Sequence, residues 1–424
     1  MKRFSFEAVV VNFSEKIRPL LVKILPINLL RKMKKGMVDS SMSKLNSDGG
    51  YTPFSRAAHP DGINLIGYIR GEIGLGQSCR LVAGALEETG LEYTVYNYEQ
   101  VSAIRSNDHS WDHRITNSTP FNINLIHIQP YELPLAYIRM SKNVWDERYN
   151  IVFWLWELER FPTQWENALD LADEIWTPSE FASESIRKVT NKPVHTVPYA
   201  LNTPDCGEYE RRHFGLPEDT FLFLCMYDCN SFIERKNPMG AISAYKKAFS
   251  SDNHGTGLVI KINNPQQEDL TKIQKELDGY SNIYIIAEVM EKTKVNALIA
   301  HCDVYVSLHR SEGFGLVPAE AMLLGTPVIA TNWSSNTEFM NSSAACMVDY
   351  SFITIEKTQG PYEAGNRWAD PNIDQAAEYM QKLYKDKTYY NQISTTAKAQ
   401  IKEKLSPTQT ASLIKDRISI IYTP

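Results

Sequence analysis

The sequence predicts an α/β protein of two doubly wound domains facing a central cleft, on three observations. The chain has 424 residues, a length beyond one ordinary core. Strand-like and helix-like segments alternate in two series, the pattern of parallel sheets covered on both faces. A stretch rich in Pro, Gly and charge around 198–217 separates the two series. The expected boundaries are 1–50 for a basic amphipathic extension, 51–203 and 204–400 for the two domains, and 401–424 for a C-terminal helix whose packing partner is the first domain.

The extension comes first. Residues 1–45 hold ten Lys and Arg against three acids, a net of +7 in a chain of net charge −6. Phe13, Ile17, Leu20, Leu21 and Ile24 keep helical spacing, and RKMKK follows. This is the composition of a peripheral anchor with its apolar face among lipid headgroups; a surface helix with a solvated basic linker is the alternative. The first domain opens with the strand INLIGYI, a glycine loop and the helix within GEIGLGQSCRLVAGALEETG. EYTVYNY, FNINLIHIQP and NIVFWLWELE read as further strands, and a mixed segment leads to VHTVPYAL. The second domain runs through TFLFLCMYD, the helix NPMGAISAYKKAFS, GLVIKIN, NIYIIAE and DVYVSLH to PVIAT, with helices between. The chain ends in helices, the last capped by Ser406 ahead of Pro407. Open α/β sheets bind ligands outside the carboxyl ends of their strands, so the cleft is the expected site.

Composition excludes some classes. The acidic balance argues against nucleic acid, which needs a basic face. The six cysteines (79, 206, 225, 229, 302 and 346) lack zinc-ligand spacing and read as reduced, in a cytoplasmic protein at or near the inner face of the membrane. No secretory leader is expected, and no run approaches the roughly 18 apolar residues of a membrane span.

The sharpest motif is HRSEGFGLVPAEAMLLGTPVIAT, residues 309–331. A strand ends, Gly313 and Gly315 pass, and Pro318 sits in the first turn of a helix that runs to Gly325. Such a turn offers the N–H groups of Gly315, Leu316 and Val317 to an anion at the positive helix end. Glycines let a phosphate approach the backbone. Glu320, expected in the first helical turn, is placed to accept from vicinal hydroxyls, and Glu312 faces another part of the ligand. In MYDCNSFIERKNP, residues 226–238, Arg235 and Lys236 supply a fork and a point charge for a diphosphate before a helix begun by Asn237–Pro238.

Glu312 and Glu320 stand eight apart in EGFGLVPAE, which resembles the E-x7-E signature of retaining glycosyltransferases of family 4, of the bacterial surface-polysaccharide type, with the GT-B fold of two Rossmann-like domains. The resemblance implies that Glu312 contacts the transferred sugar and Glu320 the nucleotide ribose. It assigns the N–H groups of Gly313, Phe314, Gly315, Leu316 and Val317 to sugar and phosphates, and gives Arg235 and Lys236 the task of neutralising the departing diphosphate. It also lays the loop carrying Gly74 and Gly76 over the cleft near donor phosphates and acceptor, with Gln77 and Arg80 as further candidates there. Alone, that loop reads as a dinucleotide turn, but the next strand offers only Glu99 for a ribose.

His127, at a strand end, is either a cleft residue near sugar or acceptor, as in similar family members, or a satisfied core histidine. Glu157 and Glu159 are candidates to meet the acceptor hydroxyl, the aromatics around them reading as core. Glu338 occupies another strand-end loop. The catalytic set is therefore Glu312, His127, Arg235 and Lys236. The implied reaction moves a hexose, mannose-like by resemblance, from a GDP or UDP sugar to a glycan or lipid-linked glycan in O-antigen or capsule biosynthesis, with retention. No D-x-D occurs in the chain, so neither metal nor other cofactor is expected beyond the nucleotide sugar as co-substrate. Three rivals remain: a glycoside hydrolase using Glu312 and Glu320, a nicotinamide oxidoreductase resting on the Gly74/Gly76 loop, and a non-catalytic nucleotide-sugar scaffold.

Overall fold

The structure, a computed structural model, describes residues 36, 38–40, 42, 43, 50–99, 105–277 and 279–423. The expected membrane-contact segment, 1–45, lies almost wholly outside them. Among the described residues no helix is long and apolar enough to cross a membrane.

The first domain carries β1 (Ile63–Gly67), β2 (Tyr93–Asn97), β3 (Ile123–His127), β4 (Tyr149–Phe153), β5 (Glu174–Thr177) and β6 (Val194–Thr196). They form one parallel sheet in the order β2-β1-β3-β4-β5-β6. Every residue of β1 and β3 is buried, which is why neither shows an in–out alternation. Asn64, Asn124 and Asn150 are nevertheless aligned across β1, β3 and β4. The Asn64 amide donates to Asn124 at 2.9 Å and that of Asn124 to Asn150 at 2.8 Å. A buried amide is costly unless bonded, so a slip in register would break this ladder. Helices α1 (Gly74–Thr89), α2 (Leu133–Met140) and α3 (Glu180–Arg187) cover the sheet. α1 stops where Gly90 takes a left-handed conformation, φ 67°, and Ser179 caps α3 by accepting from the Ala182 N–H.

The second domain repeats the plan. β7 (Phe221–Asp228), β8 (Thr256–Asn263), β9 (Ile283–Ile286), β10 (Val304–Ser307), β11 (Val328–Thr331) and β12 (Cys346–Val348) form a parallel sheet ordered β12-β11-β10-β7-β8-β9. Its helices are α4 (Ile233–Lys236), α5 (Pro238–Ala248), α6 (Gln267–Glu276), α7 (Lys292–His301) and α8 (Leu316–Leu324). The doubly wound α/β class expected from the sequence is therefore present twice.

Two features depart from the linear pattern. An antiparallel hairpin, β13 (Tyr350–Thr354) and β14 (Arg367–Pro371), follows β12. Its Ile355, Tyr362 and Trp368 are buried in the same apolar cluster as Trp154, Trp156 and Phe161 of the first domain. After α9 (Ile373–Lys385) and α10 (Lys387–Lys404), the last helix α11 (Pro407–Tyr422) crosses back to the first domain, packing on α1. There Arg417 grips the fully buried Glu174 through two bonds of 2.8 and 2.5 Å. The Tyr422 hydroxyl accepts from the Gly62 N–H and donates to Asn122.

Candidate active site

A cavity of about 560 Å³ lies between the domains. The C-terminal ends of β7 and β10 and the turn into α8 form one wall, and α1, Gln129, Tyr131 and the segment after β4 form the other. Gly313 shows how closely the walls meet. A Cβ there would stand 3.1 Å from the Trp156 carbonyl oxygen across the cleft, and its own carbonyl accepts from the Ser179 hydroxyl at 2.8 Å. The Ser311 hydroxyl likewise donates to the Glu157 carbonyl.

Arg235, Lys236 and Glu312 converge in this cavity although 76 residues separate Lys236 from Glu312. α4 ends at Asn237, which takes a left-handed conformation (φ 50°), caps α5 by accepting from the Gly240 N–H, and donates to the Leu308 carbonyl. This ties the basic pair to the end of β10. Lys236 Nζ lies 2.5 Å from Glu312 Oε1, and an Arg235 terminal nitrogen 3.3 Å from Oε2. The same Arg235 nitrogen donates to the Ser311 carbonyl at 2.8 Å, the other lies 3.6 Å from Glu157, and Nε has no partner among the described residues. Burial alone would raise the Glu312 pKa, but Lys236 and Arg235 outweigh it and hold the carboxyl down at about 2. The site is thus a cation pair, Arg235 buried and Lys236 half-buried, bridged by the ionised Glu312 and open to the cavity beside a helix N-terminus.

The helix end beside it is formed by Gly315, the N-cap of α8 in the left-handed region at φ 88°. Gly313, Phe314, Gly315, Leu316, Val317 and Pro318 all line the cavity. Glu320 does not. α8 begins at Leu316, so Glu320 lies a full turn in rather than in the first turn, buried, with its carboxylate 2.6 Å from Lys292 at the start of α7. Glu312 and Glu320 therefore do not share the cavity, as an acid and nucleophile for hydrolysis would have to.

The first-domain candidates separate into cavity and scaffold. Gly74 lines the cavity with open space around it. Gly76 is packing: a Cβ would meet the Gly71 carbonyl oxygen at 2.0 Å. Arg80 donates to the Ile69 and Gly71 carbonyls and to Gln77, and pairs with Asp108 at 3.1 Å, so Arg80 and Gln77 clamp the loop rather than reach the cavity. His127 is fully buried, stacked on Phe153 at 5.1 Å, with Nε2 2.6 Å from the Ser78 hydroxyl. Burial pushes its pKa down to about 4. Ser78, and not His127, lines the cavity, because the ring sits behind it. Glu157 lines the cavity, whereas Glu159 is taken by Arg367 of the hairpin at 2.6 and 2.9 Å. Glu338 accepts from the Glu180 and Phe181 N–H groups, both at 2.9 Å, capping α3 from the other domain. Glu99 accepts from Asn97 on the surface.

Sequence reasoning missed several cavity residues. Tyr362, Pro361 and Phe232 come from the hairpin and the loop before α4; GPYEAGNRW carries no periodicity to mark it. Gln129 and Tyr131 stood two and four residues beyond His127, and only their place outside the strand end distinguishes them. Behind that lining, Lys261 is a cation buried in β8 that bonds through Nζ to Asn263, which does line the cavity.

Residues 208–400 match the family model described as "Glycosyl transferases group 1". No curated protein matches the chain. Among solved structures, Anabaena HepE in complex with UDP-glucose is 13% identical over 85% of this chain and 100% of its own, with a TM-score of 0.62. A glycosyltransferase from Rickettsia africae is 12% identical over 86% of this chain and 100% of its own, with a TM-score of 0.61. S. aureus TarM, solved with fondaparinux, alpha-GlcNAc-glycerol and UDP, is 13% identical with a TM-score of 0.51, covering 71% of this chain. The chain spans 55% of TarM, about half its length. The fold is GT-B.

Proposed function

We propose that this chain, whose C-terminal half matches the group 1 glycosyl transferases, moves a hexosyl group from a nucleoside-diphosphate sugar to a hydroxyl of a glycan or lipid-linked glycan, with retention of configuration and without a metal. The observation that carries the reading is the convergence of Arg235, Lys236 and the N-terminus of α8 on one interdomain cavity. HepE and TarM were solved with UDP or a UDP sugar, which supports a diphosphate donor of the UDP or GDP type. A mannose-like hexose and a role in O-antigen or capsule assembly remain part of the proposal through the sequence resemblance.

In this reading the bond from the sugar anomeric carbon to the diphosphate oxygen breaks as the acceptor oxygen bonds to the same face. The acceptor proton passes to the departing diphosphate. Negative charge grows on that leaving group, and Arg235, Lys236 and the Leu316 and Val317 N–H groups are placed to stabilise it. Glu312, kept ionised by the same cations, stands where positive charge develops on the sugar ring. Glu320, held by Lys292 outside the cavity lining, keeps its assignment to the ribose through the sequence resemblance alone.

The test is a thermal-shift panel of UDP, GDP, ADP and dTDP, each with magnesium and with EDTA. A ligand at 100 times its Kd adds about 2.7 kcal/mol. One diphosphate should stabilise the chain equally in EDTA, and Arg235→Ala should abolish the shift. No response to any of the four, or an undiminished shift in Arg235→Ala, overturns the reading.

A further inference from the structure

We propose that the outer part of the cavity is an acceptor subsite for a carbohydrate, where one face of a pyranose ring stacks on Tyr131 with the tilted Trp165 ring at its edge and its hydroxyls are met by the Gln129 amide. The inference deepens the transferase reading and rests on it.

Tyr131 is 57% exposed yet lines the cavity. A single exposed aromatic is ordinary on a surface, whereas a contiguous row of them at the rim of a cleft marks a binding face. Tyr131 belongs to an arc of rings. Tyr131 and Trp165 stand 5.5 Å apart, Trp165 and Trp156 5.1 Å, Trp156 and Tyr362 5.6 Å, and Tyr362 and Phe232 5.1 Å. Phe232 stands three residues before Arg235, so the arc runs from the cation pair to the rim. Both domains build it. The hairpin loop supplies Tyr362, and all five rings line the cavity.

Gln129 is the second, independent observation. It lines the cavity and is 5% exposed, and its Nε2 has no partner among the described residues. Its Oε1 accepts from the Leu155 N–H at 3.4 Å, so the free end is the donor. A buried unpaired amide is destabilising unless a ligand completes it. Flat apolar faces beside polar edges match a sugar ring, which has C–H faces and a hydroxyl rim. A hydrocarbon chain would leave Gln129 unpaired. A phosphate finds no further cation along the arc: among the described residues lining the cavity the cations are Arg235 and Lys236, at its inner end, where the proposed function places the diphosphate. Glu157, lining the cavity 3.6 Å from Arg235, joins the subsite to the transfer point.

Saturation-transfer NMR on the full chain tests this, with methyl hexopyranosides and methyl N-acetylhexosaminides as probes, with and without the diphosphate found in the thermal panel. Saturation should reach the C–H protons of one ring face. Tyr131→Ala, whose exposed ring leaves the core intact, should lower the signal at least fivefold, and Gln129→Leu should lower it comparably, with nucleotide Kd within twofold in both. Three results each overturn the subsite: no transfer to any glycoside, a signal undiminished in Tyr131→Ala, or a tenfold loss of nucleotide affinity in that variant, which would mark a base stacking there. Glycoside binding without any nucleotide binding keeps the subsite and removes the transferase reading.

Discussion

Lys261→Met should stabilise this protein, and the gain should shrink as pH rises. Lys261 is fully buried on β8, and burial pulls its pKa from 10.5 to about 8 against the opposing pull of Asp228 and Glu288. At about 1.4 kcal/mol per pH unit, carrying the charge costs the fold about 3 kcal/mol at neutral pH. Between pH 8 and 10.5 the unfolded chain holds a proton that the folded one has released, so wild-type stability rises across that window. Methionine keeps the hydrocarbon and removes the charge, at the loss of roughly 1 kcal/mol for the bond to Asn263. The net gain is then about 2 kcal/mol at pH 7 and below about 1 kcal/mol at pH 9.5. Urea unfolding followed by tryptophan fluorescence at both pH values measures it. A variant less stable than wild type at pH 7, or a gain unchanged at pH 9.5, refutes the reasoning.

Other expectations follow from single contacts. Gly76→Ala drives a methyl onto the Gly71 carbonyl and should cost about 3 kcal/mol, whereas Gly74→Ala, with nothing within 4 Å, should leave the melting temperature unchanged or slightly higher. Glu338→Ala removes the acceptor for two N–H groups of α3 and should cost roughly 1–2 kcal/mol, seen as faster limited proteolysis between the domains. The folded Glu312 pKa of about 2 lies below its ordinary 4.5, so its contribution is full above pH 4.5 and lost as pH falls through 2. Glu312→Gln should therefore lose about 3 kcal/mol at pH 7 and about half of that at pH 3, and an equal loss at both contradicts the pairing. The His127 ring should stay neutral from pH 5 to 8, and an NMR midpoint near 6.5 would show it is not buried as described.

Strand and helix signals were legible because they depend on near neighbours. Apolar runs marked both sheets, Gly90 and Gly325 ended their helices, and Ser406 caps α11 by accepting from the Gln409 N–H. SEGFG and ERKNP were legible for the same reason, since a strand–turn–helix with glycines, and a basic pair before a helix, present backbone and charge through local geometry alone. What each side chain faces was not local. Glu320, expected at the ribose, pairs with Lys292, and His127, read as either a cleft residue or a core histidine, sits behind Ser78. Gly76 looked like a phosphate contact and is packing.

By itself, then, the sequence determined the two parallel sheets, the turn into α8 and the presence of a cation pair after β7, all set within a few residues of chain. Only the tertiary structure decided that Glu312 meets Lys236, that Glu159 and Glu338 are spent on holding the domains together, and that Tyr131, Gln129 and Tyr362 border one cavity. Those pairings join positions far apart in sequence. Their strength comes from burial and from charges brought together in a low-dielectric cleft, which no window of sequence contains.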